Sequence, residues 1–240
     1  DKLLSGAVQG VVGFYDHTLV LQTKGKFVRA VVQLGRSPGE AVVAPASRSG
    51  GIGSPADFAG RTLGVAGIGA STHLLMQYLG ISAGVKPGQM SFVPIESAAA
   101  FRDGLARGRV DAGMATDPVI SALLASGQAR LVVDLRTPAT AEPLLGGPYP
   151  GACVYLADVW IAGHRAQTQA LVNAIVKALR YIDTHDADDV ASKLPEAFFL
   201  GDRARYVEAL RAGRSMYTAD GRMPAQGPST VLKVVQLASR

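Results

Sequence analysis

The segment GIGASTH, residues 67–73, has the residue types of an anion-binding turn. It follows an apolar run and precedes a helical pattern, so the first backbone N–H groups of that helix should lack partners. These N–H groups, the positive end of the helix dipole and the hydroxyls of Ser71 and Thr72 would favour a carboxylate, sulfonate or phosphate. Gly69 and Ala70 lead into the turn, and Ser71 or Thr72 is predicted to be the N-cap. An ordinary capped helix start is the alternative interpretation.

Two nucleotide-binding motifs are excluded at this turn. A P-loop needs Gly-Lys-Ser/Thr, which does not follow here. A dinucleotide fingerprint needs a third glycine where this sequence has Thr72. The predicted ligand is therefore a small anion rather than a nucleotide.

Polar residues also follow two other short apolar runs. Tyr15, Asp16 and His17 come directly after VVGF, and Thr116 and Asp117 come after AGMA. In doubly wound sheets ligands lie beyond the carboxyl ends of the strands, so we expect both corners to contact a ligand and to face one another across a cleft. Tyr15 and His17 can donate hydrogen bonds to an anion. Asp16 and Asp117 could instead act as helix N-caps.

Arg36 is a further candidate for binding an anionic group, and the alternative is a solvated side chain.

The sequence gives weaker signs of catalysis than of ligand binding. The four histidines are dispersed and there is no His-x-x-x-His or Cys-x-x-Cys spacing, so we predict no metal site. Cys153 lies in an apolar run and is expected in the core. We predict no cofactor and no catalytic residue.

The composition bounds the class of protein. The chain has 240 residues, of which 48% are hydrophobic and 18% charged, so it can bury a core. The net charge of +5 points weakly to anionic partners, but no basic run interleaved with aromatics predicts nucleic-acid binding. No apolar run reaches the ~20 residues of a membrane-spanning helix.

A repeat organises the elements that carry these residues. Residues 4–34 and 106–135 share glycines, an acid and apolar runs at an offset of about one hundred. The alternative is that any two β–α units look alike. The second copy is preceded by a further β-α-β-α series, which predicts an α/β fold with a doubly wound, mostly parallel sheet. The first copy has no such series before it, so we expect the first lobe to be incomplete at its N-terminus.

We predict two lobes joined by two crossovers. Residues 1–45 would form the N-terminal part of the first lobe and residues 46–150 the second lobe. Residues 151–240 would return to the first lobe and end in helices.

The stretches DFAGRTLGVAGIGASTHLLMQYL and AAFRDGLARGRVDAGMATDPV resemble the substrate-binding proteins of ABC importers for nitrate, taurine and aliphatic sulfonates. The resemblance implies a class II periplasmic-binding-protein clamshell that closes on a small organic or inorganic anion. It implies ligand contacts from Ser71–Thr72, Tyr15–His17 and Thr116–Asp117. It also implies delivery to a permease in the inner membrane by a monomer that is periplasmic or lipid-anchored.

Two other functions use similar lobes. One is an enzyme of thiamine-pyrimidine or menaquinone precursor synthesis, for which only His17 and His73 could serve as reactive groups. The other is the effector-binding half of a transcription regulator, for which no helix-turn-helix is visible. Sulfonate, nitrate, carboxylate and an aromatic or pyrimidine compound all remain open as ligands.

Overall fold

The computed structural model describes residues 2–47, 51–95, 97–199 and 201–239. Within them the strands are β1 (Gly10–Phe14), β2 (Val28–Gln33), β3 (Glu40–Pro45), β4 (Thr62–Val65), β5 (Ser91–Pro94), β6 (Ala112–Thr116), β7 (Ala129–Leu135) and β8 (Ala152–Ala157). The helices are α1 (Tyr15–Thr23), α2 (Ser71–Ser82), α3 (Ala98–Ala106), α4 (Val119–Ala125), α5 (Pro138–Leu145), α6 (Asp158–Gly163), α7 (Arg165–Thr184), α8 (Ala187–Ala191), α9 (Arg203–Gly213) and α10 (Gly227–Ala238).

The chain divides into two compact units. Unit 1 comprises Asp1–Pro38 and Thr137–Val231, and unit 2 comprises Gly39–Arg136 and Leu232–Arg240. The sequence analysis predicted the boundaries between lobes after residues 45 and 150, and the structure divides the chain after residues 38 and 136. The first difference arises because β3 pairs with β6 and β7, which are strands of unit 2.

Unit 2 contains a five-stranded sheet in the order β5-β4-β6-β3-β7. β4 is parallel to β5 and β6, whereas β3 is antiparallel to β6 and β7. Four strands therefore run in one direction, and their carboxyl ends share one edge. One apolar cluster of this unit joins Ala41 and Val43 of β3 to Phe101 and Leu105 of α3 and to Ile120 of α4.

Unit 1 contains a three-stranded sheet in the order β1-β8-β2, with β8 antiparallel to both neighbours. Helix α7 packs on one face because Val172, Ile175, Val176 and Leu179 recur at the spacing of a helical stripe. Their cluster includes Val154 of β8. The described residues contain no helix long and apolar enough to cross a membrane.

The repeat predicted from the sequence has a structural counterpart. β1 and β2 of unit 1 flank an antiparallel strand, and so do β6 and β7 of unit 2, the strands that match them in sequence. The predicted sheets are mostly parallel, and the strands that run antiparallel to their neighbours are β3 and β8. Each of these two strands is inserted from outside the repeated segment.

Candidate functional site

The turn between β4 and α2 has the geometry expected of an anion-binding turn. Gly69 has φ +83°, in the left-handed region that glycine adopts without strain. Ala70 is the N-cap and Ser71 is the first helical residue. The prediction that Ser71 or Thr72 is the N-cap is therefore wrong. Thr72 has another task, since its Oγ1 accepts a hydrogen bond from the Ala66 N–H at 2.9 Å and ties the helix to the end of β4.

Ser71 is the chemically informative residue of this turn. Its side chain is buried, with 2% of the residue exposed. Its Oγ has no hydrogen-bond partner among the residues that the structure describes. Because side chains on a helix tilt toward its N-terminus, this hydroxyl projects toward the end where backbone N–H groups lack helical partners. A buried hydroxyl without a partner at such an end suits an anion that would accept its hydrogen bond.

His73 holds the turn in shape. The Gly69 N–H donates to its Nδ1 at 3.2 Å, and the imidazole meets the Phe92 ring edge-on with 4.5 Å between ring centroids. Burial lowers the pKa of His73 below its usual value. The neutral imidazole is therefore favoured, which is the form whose Nδ1 can accept the Gly69 hydrogen bond.

A second polar corner follows β6. Thr116 is exposed, and Asp117 accepts a hydrogen bond from the Ser121 N–H at 2.8 Å through Oδ1. Asp117 thus bonds an N–H of the first turn of α4, but the expectation that Asp16 and Asp117 are the N-caps is wrong, because the N-caps are Phe14 in α1 and Pro118 in α4. The other carboxylate oxygen lies 3.5 Å from Nη1 of Arg136. Asp117 precedes a cis peptide bond to Pro118.

Arg136 is a site residue that the sequence analysis missed. Its Nε and Nη2 donate to the two carboxylate oxygens of Asp134 at 2.9 and 2.8 Å. These hydrogen bonds raise the pKa of Arg136; burial raises the pKa of Asp134, but the bonds from Arg136 outweigh it and lower that pKa. The sequence feature that could have identified Arg136 is its position two residues after Asp134, at the end of an apolar run.

These groups of unit 2 share one edge of its sheet. β4 and β6 are parallel neighbours, with Gly64 opposite Gly113. The turn to Ser71 and the corner at Asp117 therefore follow adjacent strands at the same edge. Glu40, 1% exposed, begins β3 opposite Thr116 at this edge.

The corner after β1 belongs to unit 1. Tyr15 is half-buried, and its backbone N–H donates to Gly151 O at 3.1 Å. Asp16 is fully buried and accepts a hydrogen bond from the Tyr149 hydroxyl at 3.3 Å. Nε2 of His17 lies 3.7 Å from Oδ1 of Asp16, and a third of its side chain is exposed. Burial, assisted by Cys153, raises the pKa of Tyr15, so its hydroxyl remains a donor.

Gln33 is a second residue that the sequence analysis missed, because one glutamine at a strand end gives no signal. Its Nε2 donates to Gly35 O at 2.7 Å and Ala152 O at 2.9 Å, which fixes the amide orientation. Its Oε1 is buried without a hydrogen-bond partner in the described part of the chain. Arg36, three residues further on, is exposed. Its side chain forms no ion pair with the described residues.

The structure thus gathers Tyr15, Asp16 and His17 at the edge of one sheet, and places Ser71 and Asp117 at the edge of another. That these corners face one another across a cleft stays a prediction. Within the described ranges no group of three or more His, Cys, Asp or Glu side chains could hold a metal ion.

Three solved structures show what the fold resembles. A protein of Bordetella bronchiseptica RB50 is 34% identical with a TM-score of 0.90, over 98% of this chain and 74% of that chain. A zinc-bound ligand-binding component of an ABC-type import system from Staphylococcus aureus is 16% identical with a TM-score of 0.73, over 98% and 76%. The periplasmic aliphatic sulphonate-binding protein of Escherichia coli is 19% identical with a TM-score of 0.74, also over 98% and 76%.

The fold is that of the periplasmic binding proteins, as the sequence resemblance predicted. Residues 1–187 match the family model described as NMT1/THI5 like. The chain belongs to this NMT1/THI5-like family. A comparison with curated proteins finds no match.

Proposed function

We propose that this protein is the solute-binding component of an ABC importer and that it captures a small anion at the start of α2. The candidate anions are a sulfonate, a carboxylate and nitrate. Support comes from the geometry of the turn and from the structural neighbours, which include an aliphatic sulphonate-binding protein and a component of an ABC-type import system. Binding without chemical conversion is the activity proposed.

The buried, partnerless hydroxyl of Ser71 is the observation that carries this proposal. Leaving a buried polar group without a partner costs about 1–3 kcal/mol, so such a group in a folded protein calls for a functional reason. A bound anion supplies one, because it would accept hydrogen bonds from the Ser71 Oγ and from backbone N–H groups at the start of the helix.

The proposal extends to location and partners. We place the protein in the periplasm, free or lipid-anchored, where it acts as a monomer and hands its solute to a permease in the inner membrane. The periplasmic neighbour from Escherichia coli supports this location. Nucleic acid is not among the proposed partners.

A ligand screen followed by calorimetry tests the proposal. Thermal-shift measurements with ethanesulfonate, taurine, acetate, β-alanine and nitrate should find a ligand, since a solute at one hundred times its Kd adds about 2.7 kcal/mol of stability. Calorimetry with that ligand should then show Ser71→Ala weakening binding by roughly tenfold or more, the loss of one hydrogen bond to a charged group.

The matched control is Ser97→Ala. Ser97 also begins a helix, α3, but its Oγ accepts a hydrogen bond from the Ala100 N–H at 3.2 Å and is not partnerless. Ser97→Ala should leave ligand affinity unchanged. Equal affinities of the wild type and Ser71→Ala would refute the proposal that the anion binds at the start of α2.

A further inference from the structure

Basic residues are concentrated where α1 meets β2 in unit 1. Residues 17–39 contain no acidic residue and four basic ones, Lys24, Lys26, Arg29 and Arg36. The first three of these side chains are exposed and lie close together along the chain, at the turn into β2. This turn therefore presents positive charge to its surroundings.

The same turn exposes two large apolar side chains. Phe27 is 66% exposed and Val159 is 84% exposed. They belong to adjoining segments, because the Asp158 N–H donates to Phe27 O at 3.2 Å and Val159 follows directly. Since side chains alternate along a strand, Phe27 and Arg29 lie on the side opposite to Val28, which is buried in an apolar cluster. We call Lys24, Lys26, Phe27, Arg29 and Val159 the cationic corner.

One carboxylate offsets only part of this charge. Oδ2 of Asp158 lies 3.2 Å from Nη2 of Arg29. Lys24 and Lys26 form no ion pair with any residue that the structure describes. Three cations thus share one carboxylate, and the cationic corner keeps an excess of positive charge beside exposed apolar surface.

The cationic corner lies away from the candidate ligand residues of unit 1. One end of β8, Ala157, pairs with Val28, and the other end, Ala152, pairs with Phe14. The polar corner at residues 15–17 follows Phe14 directly and so lies at the opposite edge of the sheet. A partner at the cationic corner would therefore leave that polar corner uncovered.

We propose that the cationic corner docks on the surface of an anionic phospholipid bilayer. Lys24 and Lys26 contact the phosphate headgroups, while Phe27 and Val159 enter the boundary between headgroups and acyl chains. A bilayer matches both features of the corner, whereas a soluble polyanion would match the charges but leave the apolar side chains in water. The inference goes beyond solute capture and holds whether or not an anion binds at Ser71.

Co-sedimentation of the full chain with lipid vesicles tests the proposal. Vesicles made of equal parts phosphatidylglycerol and phosphatidylcholine should bind the protein roughly tenfold or more tightly than pure phosphatidylcholine vesicles do. Raising the salt concentration from about 0.05 M to about 0.5 M should weaken the binding, because salt screens exposed charges. Equal affinity for both kinds of vesicle, or binding to neither, would overturn the proposal.

Two variants separate the charged from the apolar contribution. Lys24→Gln combined with Lys26→Gln should lower the partition coefficient by roughly tenfold or more, since each basic side chain near an anionic surface contributes about fivefold. Phe27→Ala should lower it by roughly threefold or more, because it removes apolar surface from the interface. Vesicle binding that depends on the lysines but is unchanged in Phe27→Ala would indicate attraction to any polyanion and overturn docking on a bilayer.

Lys193→Gln and Phe198→Ala are the matched controls in unit 1. Lys193 is exposed, and Phe198 is 56% exposed but has an acid, Glu196, two positions before it. Both variants should bind the vesicles as the wild type does. Equal weakening by Phe198→Ala and Phe27→Ala would show that the cationic corner has no special role, which overturns the proposal. Calorimetry with the solute is a separate measurement, so failure of vesicle binding is distinguishable from failure of anion binding at α2.

Discussion

The Tyr149 hydroxyl donates a hydrogen bond to Oδ2 of Asp16 across 133 positions of sequence, and both residues are buried. This contact joins the segment before β8 to the start of α1. It supplies a donor to a carboxylate that is shielded from water, where polar groups depend on such partners.

We expect Tyr149→Phe to destabilise the protein by about 1–3 kcal/mol, because it removes a donor from a buried carboxylate and leaves the ring in place. Urea unfolding at pH 7 measures the change. Tyr78→Phe is the control, since the hydroxyl of Tyr78 forms no hydrogen bond with the described residues and its loss should change little. Equal midpoints for the two variants would show that the Tyr149 hydroxyl contributes nothing to folding.

Removing the hydroxyl of Ser71 and removing that of Thr72 should affect the stability of the ligand-free protein differently. Thr72→Val removes the acceptor of the Ala66 N–H and should cost about 1 kcal/mol. Ser71→Ala removes a buried hydroxyl that has no partner, so stability should stay the same or rise. Thermal unfolding of both variants without ligand checks this contrast. A loss of stability in Ser71→Ala would mean that its hydroxyl is hydrogen-bonded in the free protein.

Stability should decrease when the pH falls below 6.5, in part through His73. Burial lowers the pKa of His73 in the folded state, so the folded protein binds a proton less readily than the unfolded chain. The contribution is fully present above the unfolded pKa, about 6.5, and is lost as the pH falls toward the folded pKa. Protonation also removes the acceptor of the Gly69 N–H.

Unfolding free energies of the wild type and His73→Phe, measured between pH 7.5 and 5, separate this contribution from other groups. Phenylalanine keeps a ring against Phe92 but cannot take up a proton. The unfolding free energy of the wild type relative to that of His73→Phe should decrease as the pH falls. A constant difference across this range would contradict a lowered pKa for His73.

Cys153 should be unreactive in the folded protein. Burial, with a smaller contribution from the charge of Asp16, raises the pKa of its thiol to about 12, so the thiolate is scarce near neutral pH. At pH 8 a disulfide reagent should label the folded protein slowly and the urea-unfolded protein fast. Rapid labelling of the folded chain would place the thiol at the surface.

The sequence predicted those parts of the fold that depend on local patterns. Two such parts are the stripe of apolar residues in α7 and the strand–turn–helix around Ser71. Both could be predicted because apolar periodicity and turn residues are local features of the sequence. The insertion of β3 beside β6 and β7 was not, since an isolated apolar strand does not reveal its partners.

The candidate site was predictable to the same extent. Tyr15, Asp16, His17 and Asp117 were predicted as candidates because they directly follow strand-like runs. The roles of Arg136 and Gln33 depend on contacts formed only in three dimensions. The hydrogen bond of the Thr72 hydroxyl could not be predicted, because the hydroxyl could bond either within the helix or to the strand. In the structure it accepts the N–H of Ala66.

The strands of the two sheets are made in a different order from the one in which they pair. The sheet of unit 2 is formed from a continuous stretch that ends with β7 at Leu135. β1 and β2 precede these strands in the chain, yet they pair with β8, which begins only at Ala152. During synthesis β1 and β2 therefore leave the ribosome well before their partner strand β8, whereas all five strands of the unit 2 sheet are made before β8.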